Sequence, residues 1–205
     1  MYSISENSTY EIVEKKSKFI ANLIYIESKE EAENIIKEYK KRFHDARHNC
    51  YAYRVYDENE IYEKSSDDGE PSGTAGAPML NLLQKNDLCN IIIIVTRYFG
   101  GILLGTGGLV RAYSGATIGA IDNCKKAKIE LGIEFQIELD YPNYKSLQYY
   151  CNKNNITIKN SEYNENITCI LEMNNTIKDR FLEDVKNKSL NILEIKNQKD
   201  IMIIE

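Results

Sequence analysis

Five consecutive apolar residues, the isoleucines Ile91–Ile94 followed by Val95, constrain this chain more than any other feature. Their β-branched side chains favour extended backbone, and a run without polar alternation marks a strand covered on both faces. Such a strand should be the central one, so the rest of the chain must supply cover on two sides. The run ends in Thr96, Arg97, Tyr98 and Phe99. Gly100, Gly101, Gly105, Gly107 and Gly108 then lead into a helix of small and apolar residues expected over Leu109–Cys124. A strand, a glycine-rich loop and a helix therefore follow in order.

The flanking segments read as complementary elements. Thr9–Val13 and Lys18–Ile26 carry strand-type residues on either side of the polar Glu14–Ser17, the pattern of a β-hairpin. Ser28 with Glu31 forms a capping box, and Ala32, Ile35, Ile36 and Tyr39 continue at helical spacing to about Phe43. Tyr51, Tyr53, Val55 and Tyr56 predict a strand over Asn49–Tyr56, with Asp57–Glu60 turning into Ile61 and Tyr62. Ser65–Gly76 has no apolar period and is rich in Gly, Pro, Ser and Asp, as a shaped loop requires. Helical spacing resumes over Ala77–Lys85.

Beyond Lys125 the order changes to strand, helix, strand, strand, helix, strand, over about 129–139, 142–154, 156–163, 167–173, 176–187 and 190–204. This is the split βαβ, ferredoxin-like order. An α+β chain of two domains is expected, 1–125 and 129–205, with the boundary near Lys126–Lys128, and 205 residues suit two small domains.

Charge and cysteine usage narrow the function. A formal net charge of -5 argues against a whole-chain grip on nucleic-acid phosphates, so any such grip must be local. The five cysteines are odd in number and widely spaced, with no C-x-x-C pair to suggest zinc or redox chemistry. No metal and no cofactor is expected. Met1–Ser8 lacks the features of a signal peptide, and no apolar run approaches a membrane span, so the expectation is a cytoplasmic protein without a membrane partner.

The glycine loop opens a helix whose first amides lack intrahelical partners, a terminus able to take an anion. It is not a P-loop, since no Lys-Ser/Thr follows, and the glycines equally permit a tight turn with close helix packing. Arg97 ends a very apolar strand, and Arg111 opposes the dipole of its helix, so each needs a partner. That partner is either a phosphate or one of Asp67, Asp68 and Glu70. The same carboxylates with His48 could form a metal or acid-base cluster, and Cys50 with His48 a nucleophile pair, against the commoner fate of a buried thiol. Tyr51, Tyr53, Tyr56, Tyr98 and Phe99 could stack bases while Arg47, Arg54, Arg97 and Arg111 hold a backbone, or the aromatics are simply core residues.

Three blocks, HNCYAYR (48–54), SDDGEPSGTAGAPML (66–80) and IVTRYFGGILLGTGGLVRAYSGA (94–116), with KKSKFIA (15–21) before them, resemble the signature of the IMPACT/YigZ family in its bacterial two-domain form. The resemblance implies a first domain like the second domain of small-subunit ribosomal protein five and a second like the ferredoxin-type domain five of elongation factor G. It also implies nucleic-acid or ribosome association, with no settled reaction. Eukaryotic members are linked to translation control but carry an additional N-terminal interaction domain. The motif positions here are His48, Cys50, Arg54, Asp67, Asp68, Glu70, Arg97, Gly100, Gly101, Gly105, Gly107, Gly108 and Arg111. The leading expectation is a non-enzymatic protein that binds RNA or the ribosome in regulation of translation, with Arg97, Arg111 and the glycine-loop amides on phosphate and Asp67, Asp68 and Glu70 orienting the arginines or holding a cation. The alternatives are a phosphate-ester or nucleotide-processing enzyme and a protein-interaction module with a protein partner.

Overall fold

The computed structural model describes residues 1–57 and 59–204, which fall into two compact units, Met1–Lys128 and Ile129–Ile203. Of the turn predicted over Asp57–Glu60, Glu58 lies outside the described residues. The first unit runs β1 (Tyr2–Ile4), β2 (Ser8–Glu14), β3 (Ser17–Tyr25), α1 (Lys29–Arg42), β4 (His48–Asp57), β5 (Glu60–Ser66), α2 (Gly76–Lys85), β6 (Ile91–Tyr98) and α3 (Thr106–Asn123). Its main sheet has the order β2-β3-β6-β4-β5, with every neighbouring pair antiparallel.

The isoleucine run is the centre of this sheet. Ile91, Ile93 and Val95 face a core built with Met79 and Leu83 of α2 and Leu109, Tyr113 and Ala116 of α3. Ile92 and Ile94 face the opposite side, where Ala32 and Ile36 of α1 pack with Tyr51 and Tyr53. An antiparallel sheet thus carries a continuous apolar strand because helices cover both of its faces. Ser28 caps α1 as its spacing predicts, accepting from the Glu31 amide at 3.1 Å.

Two local outcomes differ from the sequence reading. Helix α3 begins at Thr106 rather than Leu109, so Gly107 and Gly108 lie in its first turn. Helical glycine costs only about 1 kcal/mol, and Gly108 is buried so closely on Leu104 that a Cβ would stand 3.1 Å from that side chain's own Cβ. Strand β1 was not expected. Its three residues are too few for a period, and they become a strand by pairing antiparallel with Lys126–Lys128, the start of β7 (Lys126–Leu139).

The second unit continues from β7 through α4 (Tyr141–Lys153), β8 (Thr157–Tyr163), β9 (Ile167–Asn174), α5 (Asn175–Lys186) and β10 (Glu194–Ile204). β7 pairs with β9 and β10, and β9 with β8, so the four-stranded order β10-β7-β9-β8 is ferredoxin-like. Phe135, Leu171 and Phe181 are fully buried at its core, and Asp140 and Asn174 cap α4 and α5. Among the described residues no helix is long and apolar enough to cross a membrane.

Candidate functional site

Register brings the sequence blocks of the first unit to one end of its sheet. Lys18 pairs with Tyr98, His48 with Arg97 and Tyr51 with Ser66. The β2–β3 turn, the segment leaving β6, the start of β4 and the loop after β5 therefore converge there. On the face covered by α2 and α3, Phe19, Arg97 and His48 stand side by side on three adjacent strands.

Arg97 is only 6% exposed, and its charge is answered inside the protein. Its Nη1 donates to Glu70 Oε1 at 2.5 Å, and its guanidinium lies 5.4 and 5.6 Å from the ring centroids of Phe19 and Phe99. The same Glu70 oxygen accepts from the Tyr113 hydroxyl at 2.9 Å and lies 3.8 Å from His48 Nε2. Glu70 thus ties β6, α3 and β4 to its own loop. Between the two partners left open for Arg97, phosphate or carboxylate, the structure supplies the carboxylate. Among the described residues its buried Nε has no hydrogen-bond partner.

The other two carboxylates do different work. Asp67 replaces the side-chain cap that α2 lacks: Oδ1 accepts from the Ala75 and Gly76 amides at 2.9 and 2.8 Å, and Oδ2 from Gly73 at 2.8 Å. Burial pushes its carboxyl up, but these three amides outweigh burial and hold it below the usual aspartate value. Asp68, in the left-handed region at φ 44°, accepts from the Asn49 amide at 2.7 Å and pairs with Lys40 at 2.5 Å. Its carbonyl accepts from His48 Nδ1 at 2.8 Å. Neither Asp67 nor Asp68 bonds an arginine among the described residues. Among the described residues no three His, Cys, Asp or Glu side chains form a group able to hold a metal ion.

Cys50 Sγ lies 3.0 Å from the Asp67 carbonyl oxygen and 3.3 Å from the Tyr113 hydroxyl, so its single S–H donates to one of them. Burial first, then the nearby carboxylates, push the thiol up to about 12 despite the Tyr113 contact, and His48 does not activate it. A Cys-His nucleophile is therefore replaced by a structural thiol.

Arg54 leaves the candidate site. It pairs opposite Ile91, at the far end of β6 from Arg97, where Nε donates to Glu63 at 2.6 Å and Nη1 to the Leu88 carbonyl at 2.8 Å. Strand register separates two residues that the sequence blocks had grouped. Tyr51 and Tyr53 are core residues, and Tyr98 donates to Asp45 at 3.1 Å, whereas Phe99 is 41% exposed.

The glycines divide by role. Gly100 is pressed against the β2–β3 turn, where a Cβ would fall 2.0 Å from the Lys16 carbonyl carbon, and its amide donates to Ser17 Oγ at 3.1 Å. Gly101 and Gly105 have φ of 85° and 71°, which turn the exposed loop and set the entry to α3. Gly105 is the N-cap of α3 and brings no side chain to it, so among the described residues the first-turn amides have no side-chain cap. Arg111, one turn further on, is exposed, and among the described residues it forms no ion pair.

Two features of this end were missed from sequence. Tyr113 was not singled out, although a tyrosine on the apolar face of a small-residue helix needs a partner for its hydroxyl. The apolar stretch Ile102–Leu104 lies between glycines, and three residues are too few for a period that would mark it as a side-chain surface.

Comparison with known proteins finds matches to two segments of the chain. Residues 15–121 match the Impact N-terminal domain and residues 137–189 match a domain of unknown function, DUF1949. The IMPACT family member YvyE of Bacillus subtilis is 38% identical, over 81% of this chain and 76% of its own. An IMPACT family member of Haemophilus influenzae is 37% identical, over 85% of each chain. A crystal structure described as that of a hypothetical protein superposes with a TM-score of 0.68 at 28% identity, covering 98% of this chain and 96% of that one. The first matched segment contains the whole of the Glu70–Arg97–Tyr113 network and the second lies within the ferredoxin-like unit, and on this ground the chain belongs to the IMPACT family.

Proposed function

We propose that the first unit binds RNA, free or as a ribosomal element, in support of translation control, through the segment Phe99–Gly108 and Arg111. The observation that carries this reading is Arg111: an exposed cation in the second turn of α3, unpaired among the described residues, whose Nη1 would stand 3.7 Å from a Cβ built on Gly107 in the uncapped first turn. A phosphate would satisfy the arginine and the first-turn amides of Thr106, Gly107 and Gly108 together. Arg97 supports the surface from beneath, holding Phe99 while Glu70 neutralises it. The link to translation rests on the family resemblance. A cytoplasmic, reducing setting belongs to the same reading and is supported by five free cysteines, four of them buried.

The geometry lends less to a phosphate-ester or nucleotide-processing enzyme, because Asp67 is occupied by backbone amides and Cys50 is held as a thiol. The test is a titration of the full chain against structured RNA and ribosomes at two salt concentrations, beside Arg111→Gln. Arg97 is left intact because its removal would strand Glu70. Salt-sensitive binding by the parent protein is expected, with weaker binding and a log–log salt slope shallower by about 0.7–0.9 in the variant. Absence of binding by the parent protein refutes the proposal.

A further inference from the structure

We infer that this surface recognises single-stranded or bulged RNA rather than a continuous duplex, by inserting the apolar tip of the loop after β6 among unstacked bases; the inference rests on the RNA reading above. Leu103 is 83% exposed, and Ile102 and Phe99 are 43% and 41% exposed. These side chains stand on a short loop pinned at its base, where Gly100 meets the backbone of Lys16 and its amide bonds Ser17. The tip is therefore presented on a fixed support.

The neighbouring turn breaks a local rule. Glu14 pairs with Ser17, leaving Lys15 and Lys16 as the two central residues of a β-hairpin, and both have positive φ, 44° and 65°. Asn-Gly is the favoured occupant of such a turn, and two lysines there are strained. Both are exposed, and among the described residues neither forms an ion pair. Hairpin stability does not call for them, whereas a phosphate partner does. In a chain of net charge -5, Lys15, Lys16 and Arg111 are free cations around an apolar tip.

The cations beside the tip favour nucleic acid over protein. Protein interfaces are depleted of lysine, whereas this tip stands beside the exposed Lys15, Lys16 and Arg111. Apolar wedges of Phe, Leu or Ile between bases require only one or two residues, with phosphate contacts supplying affinity. A-form RNA duplex is bound mainly by its shape and its 2′-hydroxyl and phosphate contacts, whereas single strands and bulges offer bases already unstacked, so the wedge need not break a stack to enter.

The test uses fluorescence anisotropy of the full chain with an unstructured RNA oligomer and a blunt RNA duplex of equal length, at several potassium chloride concentrations. The parent protein is expected to prefer the single strand at least about tenfold, with a salt slope of about -2 for three phosphate contacts. Leu103→Ser, at an exposed site, should abolish the preference without altering the melting temperature. Lys15→Asn/Lys16→Gly should raise the melting temperature and yet bind more weakly, with the slope reduced to about -0.7. Equal binding of both RNAs, a duplex preference, or an unchanged Leu103→Ser variant overturns the inference while leaving the RNA reading intact. Binding to neither RNA refutes that reading itself. Loss by Leu103→Ser of a protein association that survives nuclease treatment would assign the tip to a protein partner instead, and also overturns the inference.

Discussion

Replacing Glu70 by leucine should cost the first unit about 4 kcal/mol, and replacing Arg97 by methionine as well should recover most of it. Glu70 and Arg97 have side chains 4% and 7% exposed, and the bond between them is 2.5 Å. Leucine fills nearly the volume of glutamate, so the loss is not chiefly that of a cavity. Its main source is the guanidinium, left buried without a counter-charge, worth about 3–5 kcal/mol when one partner of a buried pair is removed. The Tyr113 hydroxyl also loses its acceptor, about 1 kcal/mol more, less whatever it regains by turning to Cys50, 3.3 Å away. Against total stabilities of about 5–15 kcal/mol this is most of the margin. The double variant Glu70→Leu/Arg97→Met removes both charges and should lie within about 1 kcal/mol of the parent. Urea unfolding of the full chain by far-UV circular dichroism measures these differences, with exchange of the β6 amides identifying which unit opens. A cost below about 1 kcal/mol for Glu70→Leu, or a double variant as unstable as the two single variants combined, would refute the account of the pair as mutually neutralising.

Asp67→Ala leaves the Gly73, Ala75 and Gly76 amides without an acceptor and should cost about 1–3 kcal/mol in the same unfolding assay. Because the folded Asp67 carboxyl is held below its unfolded value, its contribution is full above the ordinary aspartate value of about 3.9 and is lost as pH falls through the lower folded value. The parent–variant gap should therefore narrow on acidification, and a gap that widens would contradict the capping role. Cys50, buried and pushed up to about 12, should resist alkylation of the native protein near neutral pH, while the partly exposed Cys124 reacts first. Peptide mapping after a short iodoacetamide pulse reads the order, and early labelling of Cys50 would contradict its assignment as an inert core thiol.

Much of the fold is legible in residue order because it follows from local periodicity. The unbroken apolar run of Ile91–Val95 demands cover on both faces, Ser28 and Glu31 mark a helix start, and the element order after Lys125 specifies a ferredoxin-like unit. The blocks around His48, Glu70 and Arg97 likewise belong together in space. Their division of labour is not local. Which carboxylate meets Arg97 depends on the path of the Asp67–Ala75 loop, which turns Asp67 onto the α2 amides and leaves Glu70 to reach β6. Arg54 and His48 share one short block, but strand register sends them to opposite ends of the sheet. β1 exists because segments remote in the chain supply its hydrogen bonds, Lys126–Lys128 along the strand and Asp87 and Cys89 at Tyr2. Sequence by itself determined the other strands, the helices to within a turn and the glycine-bounded loop, since backbone propensity and side-chain period act over a few residues. Tertiary structure alone decided which charges neutralise one another and which remain free, because burial and distance between ionic groups are set by contacts remote in the chain.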